Sequence, residues 1–446
     1  MNTCDLISEH IRSKKLKYDE IQESHGIEQL IVFSGAEDFP FLEDIPYPFR
    51  VNPQFRELVP IIEASLSWVI NTIGIKLKLI LYAPENIWSA KKEIPSESWL
   101  DLFDVIIITS KEDALKYINQ TYSSAFLGPQ MQFFETWPLG NRSHELLINE
   151  LFWNRASKTE YEKYCIKQAN NISALGHIAA KNAFVSGASE LEINMEFNSA
   201  CNLPESKLAY PSVVAINEHA SILHYEQYDN KALPDCHRRS LLIDAGARFQ
   251  GYSSDITRTY AFKRDVFHDL ILELDATQQL ITQKLQQEHT YEAFNLSSLY
   301  LIAKLLVDFR LVKSTPEAIL EQNILRYFMP HTLGHFMGIQ VHDVGGEFIN
   351  AKGCKFINKS SLNFKMGRLI SEGHVLTVEP GIYFINSLLD ELFASKFKEL
   401  INWSLVELLK PYGGVRIEDN ILITSTGMEN FTRRSFAHLE NKYEYI

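Results

Sequence analysis

Positive charge is in short supply: 43 Lys and Arg stand against 56 Asp and Glu, a formal net charge of −13. A sequence-independent grip on nucleic acid needs clustered cations, so no nucleic-acid partner is expected. Cysteine is scarce and unpatterned. The five, Cys4, Cys165, Cys201, Cys236 and Cys354, are odd in number and contain no Cys-x-x-Cys pair. That argues against a disulfide framework or a thiolate zinc site and fits a reducing cytoplasm. No apolar run approaches the length needed to cross a bilayer, and the opening MNTCDLISEHIRSKKLKYDE lacks the apolar stretch of a signal peptide. Internal repeats and low-complexity segments are missing as well. The expectation is a soluble cytoplasmic protein with no membrane partner.

What is present is enough apolar material for two hydrophobic cores: 446 residues, 46% of them apolar. Residues 28–33 end in an apolar run and break at Ser34-Gly35, as a buried strand and turn would. Residues 77–83 (LKLILYA), 104–108 (DVIII) and 124–127 read as further strands, and 55–73 as a helix among them. Alternating strands and helices suggest an α/β layer of roughly 150 residues. From 157 to 186 the period becomes helical, with Cys165, Ala169, Ile172, Ala179 and Ala183 on one face and Gly187 closing the run. Ser189 and Glu192 form a capping box that starts another helix. The domain boundary is placed near 155, giving an α/β domain of 1–155 and a second domain of 156–446. In the second, strands at 212–216, 241–244 and 257–262 precede helices at 265–288 and 291–309, and strands return at 375–384 and 414–424. Segregated strands and helices argue α+β, with helices covering a curved antiparallel sheet. Residues 345–366 read as a long loop of the kind that often carries function.

Chemistry concentrates around Met-Pro-His-Thr-Leu-Gly-His-Phe-Met-Gly and the Val-His-Asp that follows, which supply His331, His335 and His342. Histidine both ligates metals and exchanges protons near neutral pH. Upstream, Leu-Leu-Ile-Asp-Ala-Gly is a buried strand ending in Asp244, and Asp255 opens a β-branched run eleven residues later. A strand, a turn and a returning strand would bring these carboxylates together, and two buried carboxylates repel unless cations or protons separate them. Taken singly, Asp244 also reads as a turn cap and Asp255 as a surface ion pair. Glu379 sits between Val-Leu-Thr-Val and Pro-Gly-Ile-Tyr, and Glu418 within Gly-Gly-Val-Arg-Ile-Glu-Asp. Alternation puts Arg416 and Glu418 on one strand face, which a plain ion pair would also explain. One imidazole and four carboxylates form an oxygen-rich set suited to two divalent cations about 3.5 to 4 Å apart. Oxygen dominance favours Mn2+, while the nitrogen leaves Zn2+, Co2+ or Fe2+ open.

These motifs, Met-Pro-His-x-x-Gly-His, Val-His-Asp-Val, Val-Glu-Pro-Gly-Ile-Tyr, Gly-Gly-x-Arg-Ile-Glu-Asp-Asn, Asp-Ala-Gly and Asp-Ile-Thr-Arg-Thr, together resemble the creatinase/prolidase metallopeptidases of the pita-bread fold. Within that family the resemblance is closest to the bacterial Xaa-Pro dipeptidases. It extends to Ala-Ile-Asn-Glu-His-Ala at 215–220 and to Tyr-Pro-Phe-Arg-Val-Asn-Pro-Gln-Phe at 47–55. The resemblance implies that Asp244 binds one metal, His335 and Glu379 the other, and that Asp255 and Glu418 bridge both. It implies hydrolysis of dipeptides ending in proline by a hydroxide bridging the two metals, with Glu379 as proton carrier. His224 and His342 would bind substrate and stabilise the tetrahedral intermediate. Tyr210 would line the pocket for the substrate's amino-terminal residue, although a tyrosine packed on the core fits equally.

A tertiary Xaa-Pro amide has no N–H to grip, so recognition must use the ring and the free termini. Lys365, Arg368 and Arg416 are candidates for the substrate carboxylate, with Arg416 alternatively orienting Glu418. Lys365 stands where the bacterial dipeptidases would have Arg. His331 is a further candidate near the substrate, and Thr332 replaces the glycine usual beside it. Other readings within the fold are an Xaa-Pro aminopeptidase and an organophosphate-hydrolysing relative. A non-catalytic peptide-binding module is the reading from another class, and the complete ligand set argues against it. The resemblance also implies a homodimer in which one subunit's amino-terminal domain helps close the other's site.

Overall fold

The computed structural model describes residues 3–60, 64–84, 97–137, 139, 144–359 and 362–443. Two compact units emerge: Met1–Arg155 with Thr159–Tyr164 and Ala351–Gly353, and Ala156–Lys158 with Cys165–Asn350 and Cys354–Ile446.

The first unit contains α1 (Thr3–Ser24), β1 (Gln29–Phe33), α2 (Pro53–Leu58), β2 (Trp68–Thr72), β3 (Leu77–Tyr82), β4 (Phe103–Ile108), β5 (Ser124–Leu127) and α3 (Glu145–Arg155). Its five described strands form one mixed sheet in the order β4-β3-β2-β1-β5, with β1–β5 and β3–β4 parallel. The expected helix over 55–73 is corrected here. Asn52 caps α2 and Pro53 occupies its first turn, but the helix ends at Leu58, just ahead of Pro60, which disfavours helical backbone in the residue before it. Residues 61–63 lie outside the described set. Trp68–Thr72 is then the central strand, because Trp68, Val69 and Ile70 are buried in a sheet that rewards aromatic and β-branched side chains.

Helix α4 (Glu160–Ser186) enters the second unit at Cys165, and α5 (Glu190–Cys201) follows, opened by the expected capping box: Ser189 Oγ accepts Glu192 N–H while Glu192 accepts Ser189 N–H. Strands β6 (Val213–Ile216), β7 (Ser240–Asp244), β8 (Arg248–Phe249), β9 (Tyr252–Ser253) and β10 (Thr257–Ala261) follow. Next come α6 (Val266–Lys284), α7 (Tyr291–Asp308) and α8 (Pro316–Glu321), then β11 (Val375–Val378), β12 (Gly381–Tyr383), α9 (Asn386–Ala394), α10 (Trp403–Leu409), β13 (Gly414–Arg416), β14 (Asp419–Thr424), β15 (Gly427–Asn430) and α11 (Phe431–Tyr443). Every strand pair in this unit is antiparallel. Helix α6 buries Phe267, Leu270, Leu274 and Ile281 at helical spacing, and these join α7 residues and Leu376, Ile382, Val415 and Ile421 of the strands in one core. Ala180 and Phe184 of α4 and Ile193 and Phe197 of α5 pack on Val214 and Ile243 of β6 and β7.

Two expected strands each prove to be a pair. The run 375–384 is β11 and β12, and 414–424 is β13 and β14; β11 pairs with β14 and β12 with β13. The interruptions fall at Glu379-Pro380 and Ile417-Glu418, where Pro380 has no N–H for a ladder. The chain is stitched differently there: Ile417 N–H donates to Pro380 O (3.2 Å) and Glu418 N–H to Thr257 O (3.0 Å). The described residues of 345–366 hold no helix or extended strand, as the loop reading expects; 360 and 361 lie outside the described set. No described helix is long and apolar enough to cross a membrane.

Candidate metal centre

Asp244 ends β7 opposite Thr257 of β10, and the small β8–β9 hairpin turns the chain so that Asp255 arrives two residues before that partner. Ala245 N–H donates to Ile256 O (3.0 Å) across the return. Gly246 permits this closeness, since a methyl group there would overlap the Ser254 carbonyl oxygen. The Tyr210 hydroxyl stands between the two carboxylates, 2.6 Å from Asp244 Oδ1 and hydrogen-bonded to Asp255 Oδ1.

His335 comes from a segment laid along β11. Glu379 N–H donates to Leu333 O and Thr377 N–H to His335 O, both at 2.9 Å, and a side chain on Gly334 would run into the Thr377 carbonyl. His335 Nδ1 faces Phe336 O at 3.0 Å; a carbonyl can only accept, so Nδ1 carries the proton and Nε2 is aimed elsewhere. It points at Asp255 Oδ2 (3.3 Å) and Glu379 Oε1 (3.7 Å). Thr377 Oγ1 donates to Glu379 Oε1 (3.3 Å), and Thr257 Oγ1 to Glu418 Oε2 (2.8 Å). Arg416 closes the set: Nη2 donates to Asp244 Oδ2 (2.7 Å), Nη1 to the Tyr383 hydroxyl (2.6 Å) and Nε to Thr257 Oγ1 (3.1 Å). It therefore holds Asp244 directly and Glu418 through Thr257.

Donor atoms of Asp244, Asp255 and Glu418 lie within 4.8 Å of one another, as do those of His335, Glu379 and Glu418, and those of Asp255, His335 and His342. The overlap of these groups at Asp255, Glu418 and His335 is what a pair of cations sharing ligands requires. The electrostatics point the same way. Burial pushes Glu379 up to about 7, and burial with the neighbouring Asp255, Glu379 and Asp244 lifts Glu418 well above the usual carboxylate range. Asp244 is raised by burial against the pull of Arg416. Burial opposes ionisation of Asp255 too, but the hydrogen bond and charge of His335, with the Tyr210 hydroxyl and His342, together outweigh it and lower this carboxyl. His335, disfavoured as a cation by burial, is raised to about 9 by Asp255 and Glu379. So many carboxylates against one guanidinium and one imidazole leave negative charge uncompensated, and divalent cations fit that deficit.

Around this cluster stand the remaining candidates. His331 donates from Nδ1 to Thr332 O (2.8 Å) and accepts at Nε2 from the Tyr383 hydroxyl (2.9 Å); burial and Arg416 lower it to about 4. Thr332 keeps an ordinary negative φ, so the position does not need glycine. His342 is exposed, its ring centroid 4.2 Å from that of His335. His224 and Lys365 are exposed, and the charge of each reaches His342. Arg368 is not brought to the cluster: it is buried, donates to Gly345 O (2.8 Å) and lies over the Phe336 ring, a cation spent on ordering its own loop. Thr257, Thr377 and Tyr383 escaped the sequence reading. The period-2 alternation that pairs Thr257 with Asp255 and Thr377 with Glu379 on one strand face could have found the two threonines.

Residues 164–425 match the profile of metallopeptidase family M24, and 5–152 match that of the Xaa-Pro dipeptidase amino-terminal domain. An Xaa-Pro dipeptidase of Aeromonas hydrophila is 37% identical over 432 residues, spanning 96% of this chain and 98% of the relative. One of Shewanella halifaxensis is 38% identical over 430 residues, spanning 96% and 97%. Among solved structures, proline aminopeptidase P II of Yersinia pestis superposes with a TM-score of 0.69 at 22% identity, over 94% of this chain and 96% of that one. Aminopeptidase P of E. coli with the inhibitor Pro-Leu gives 0.69 at 19% identity, over 96% and 99%. The fold is the expected pita-bread one, and with these matches running along nearly its whole length, the chain belongs to metallopeptidase family M24.

Proposed function

We propose that this protein is a metal-dependent Xaa-Pro dipeptidase. The observation that carries the proposal is the convergence of Asp244, Asp255, His335, Glu379 and Glu418, from separate segments, into overlapping donor groups within 4.8 Å. The names of the relatives support the substrate class. Two divalent cations held there, Mn2+ being favoured by the oxygen-rich donors, supply a Lewis acid for the scissile carbonyl and make water acidic enough to attack near neutral pH.

The chain's own residues do the rest. Asp244 would hold one cation and His335 and Glu379 the other, with Asp255 and Glu418 available to both. Glu379 takes the proton from the attacking water and delivers it to the departing proline nitrogen. His342 and His224 hydrogen-bond the substrate and the tetrahedral intermediate. Arg416, engaged with Asp244, Tyr383 and Thr257, orients ligands; its geometry supports that role over carboxylate binding. Lys365 is the exposed cation left to hold the dipeptide's carboxylate, with Arg368 shaping the loop that presents it. Tyr210 and His331 line the site.

The division of labour between an amino-terminal domain of 1–155 and a catalytic domain of 156–446 belongs to the same proposal, supported by profiles that end at 152 and resume at 164. So does a homodimer, supported by Phe39, Phe41, Leu42, Ile45 and Tyr47, large apolar residues close in sequence and each exposed. Cysteines without disulfides support a cytoplasmic location. Metal-free protein given Mn2+ should gain hydrolysis of an Xaa-Pro dipeptide; failure to gain any contradicts the proposal.

A further inference from the structure

The loop that joins His335 to His342 is closed by a buried ion pair that the proposed chemistry does not use. Phe336 O accepts two hydrogen bonds, from His335 Nδ1 (3.0 Å) and from the main-chain N–H of Asp343 (2.8 Å). The Asp343 carboxylate in turn receives Val344 N–H at Oδ1 (3.0 Å) and Lys158 Nζ at Oδ2 (2.9 Å). Its side chain and that of Lys158 are sealed from water, at 1% and 0% exposure. Gly338 lies against the pair, and a methyl group there would overlap Asp343 Oδ2 and press on Lys158 Cε.

Lys158 is itself fixed. Its N–H donates to Gly373 O (2.8 Å), and Ser157 bridges His374, the residue just ahead of β11. The strand that presents Thr377 and leads to Glu379 therefore also sets the ammonium in place, although Lys158 and Asp343 are 185 residues apart in sequence. A buried charge tolerates few arrangements other than the one that pairs it, which makes such a pair a device for fixing one loop conformation.

We propose that Lys158 is a positioning residue for His335 and His342: through Asp343 it clamps residues 336–343, keeping Phe336 O where it orients the His335 imidazole and keeping His342 beside it. The consequence for turnover rests on the function proposed above; the consequence for cation binding does not. Partners that orient a ligand imidazole typically matter by about 10- to 100-fold in metal affinity or activity.

The test uses the full chain as wild type, Lys158→Met, Asp343→Asn, the double variant, and Lys304→Met as an exposed control. Mn2+ affinity is measured by titration of metal-free protein whose folding is verified by thermal melting, and kcat and KM are measured on an Xaa-Pro dipeptide. Lys158→Met should weaken Mn2+ binding by about tenfold or more and lower kcat more than it raises KM. Because both side chains act through one pair, the double variant should lose no more than the worse single, and Lys304→Met should match wild type. The double variant removes both charges, so it remains informative where a lone buried charge prevents folding. Wild-type Mn2+ affinity and kcat in a folded Lys158→Met or double variant would overturn the proposal, as would losses that simply add. If wild type binds Mn2+ yet leaves the dipeptide intact, the dipeptidase reading fails and the affinity series alone decides the role of Lys158.

Discussion

Arg416 shows how much depends on single groups in this centre: one guanidinium serves Asp244, the Tyr383 hydroxyl and, through Thr257, Glu418. A residue so engaged has little left for a substrate carboxylate, and Arg368 is turned toward Gly345 O. That leaves Lys365, a point charge on a flexible stem, which anchors a carboxylate without the two-pronged geometry of Arg. Lys365→Ala should raise KM for Xaa-Pro dipeptides about tenfold while kcat changes less than threefold, the signature of lost ground-state binding. Steady-state kinetics on the purified variant decide it; an unchanged KM removes Lys365 from the site. The nature of the donors was legible because each motif carries its residue type at a fixed place in the chain. The threonines and Tyr383 were not, because a hydroxyl that orients a carboxylate looks in sequence like any strand residue.

At the scale of elements, the informative feature is the interruption of two strands at the positions of Glu379 and Glu418. Apolar and β-branched runs predicted continuous strands; what they could not reveal is that pairing partners change midway, since that depends on neighbours distant in sequence. Helix 55–73 failed for a related reason: local pattern cannot weigh the pull of a central sheet position on Trp68, Val69 and Ile70. The same dependence on close neighbours makes Gly334 critical. With no side chain it lets the His335 segment lie against the Thr377 carbonyl. Gly334→Ala should destabilise the fold by roughly 1–3 kcal/mol and, by lifting His335 from its place, weaken Mn2+ binding at least tenfold. Denaturant unfolding and metal titration check both, and unchanged metal affinity would mean that His335 does not depend on this contact.

At the scale of the whole molecule, three buried histidines make stability sensitive to acid. His177 donates to Ala245 O, and burial lowers its pKa from 6.5 to about 3; His10 and His374 are lowered by burial as well. Below about 6.5 the unfolded chain protonates His177 while the folded chain refuses the proton, so the contribution of this residue to stability is complete above that pH and is lost progressively toward 3. At pH 5 the His177 contribution alone amounts to roughly 2 kcal/mol. Replacing it with Gln should flatten the decline in unfolding free energy between pH 7 and 5, and an unaltered slope would contradict the assignment. Two-domain organisation and the α/β and α+β classes were readable from the change of hydrophobic period along the chain, whereas the convergence of five segments on one point is a property of the folded whole.

If this convergence makes a dipeptidase, substrate length and metal together govern turnover. The most direct measurement takes metal-free protein, restores Mn2+, and compares kcat/KM for Xaa-Pro dipeptides with that for Xaa-Pro-Yaa tripeptides. Metal-dependent turnover with at least a tenfold preference for the dipeptide is the predicted result. Preference for the tripeptide, or no turnover of either with Mn2+ bound, would contradict it.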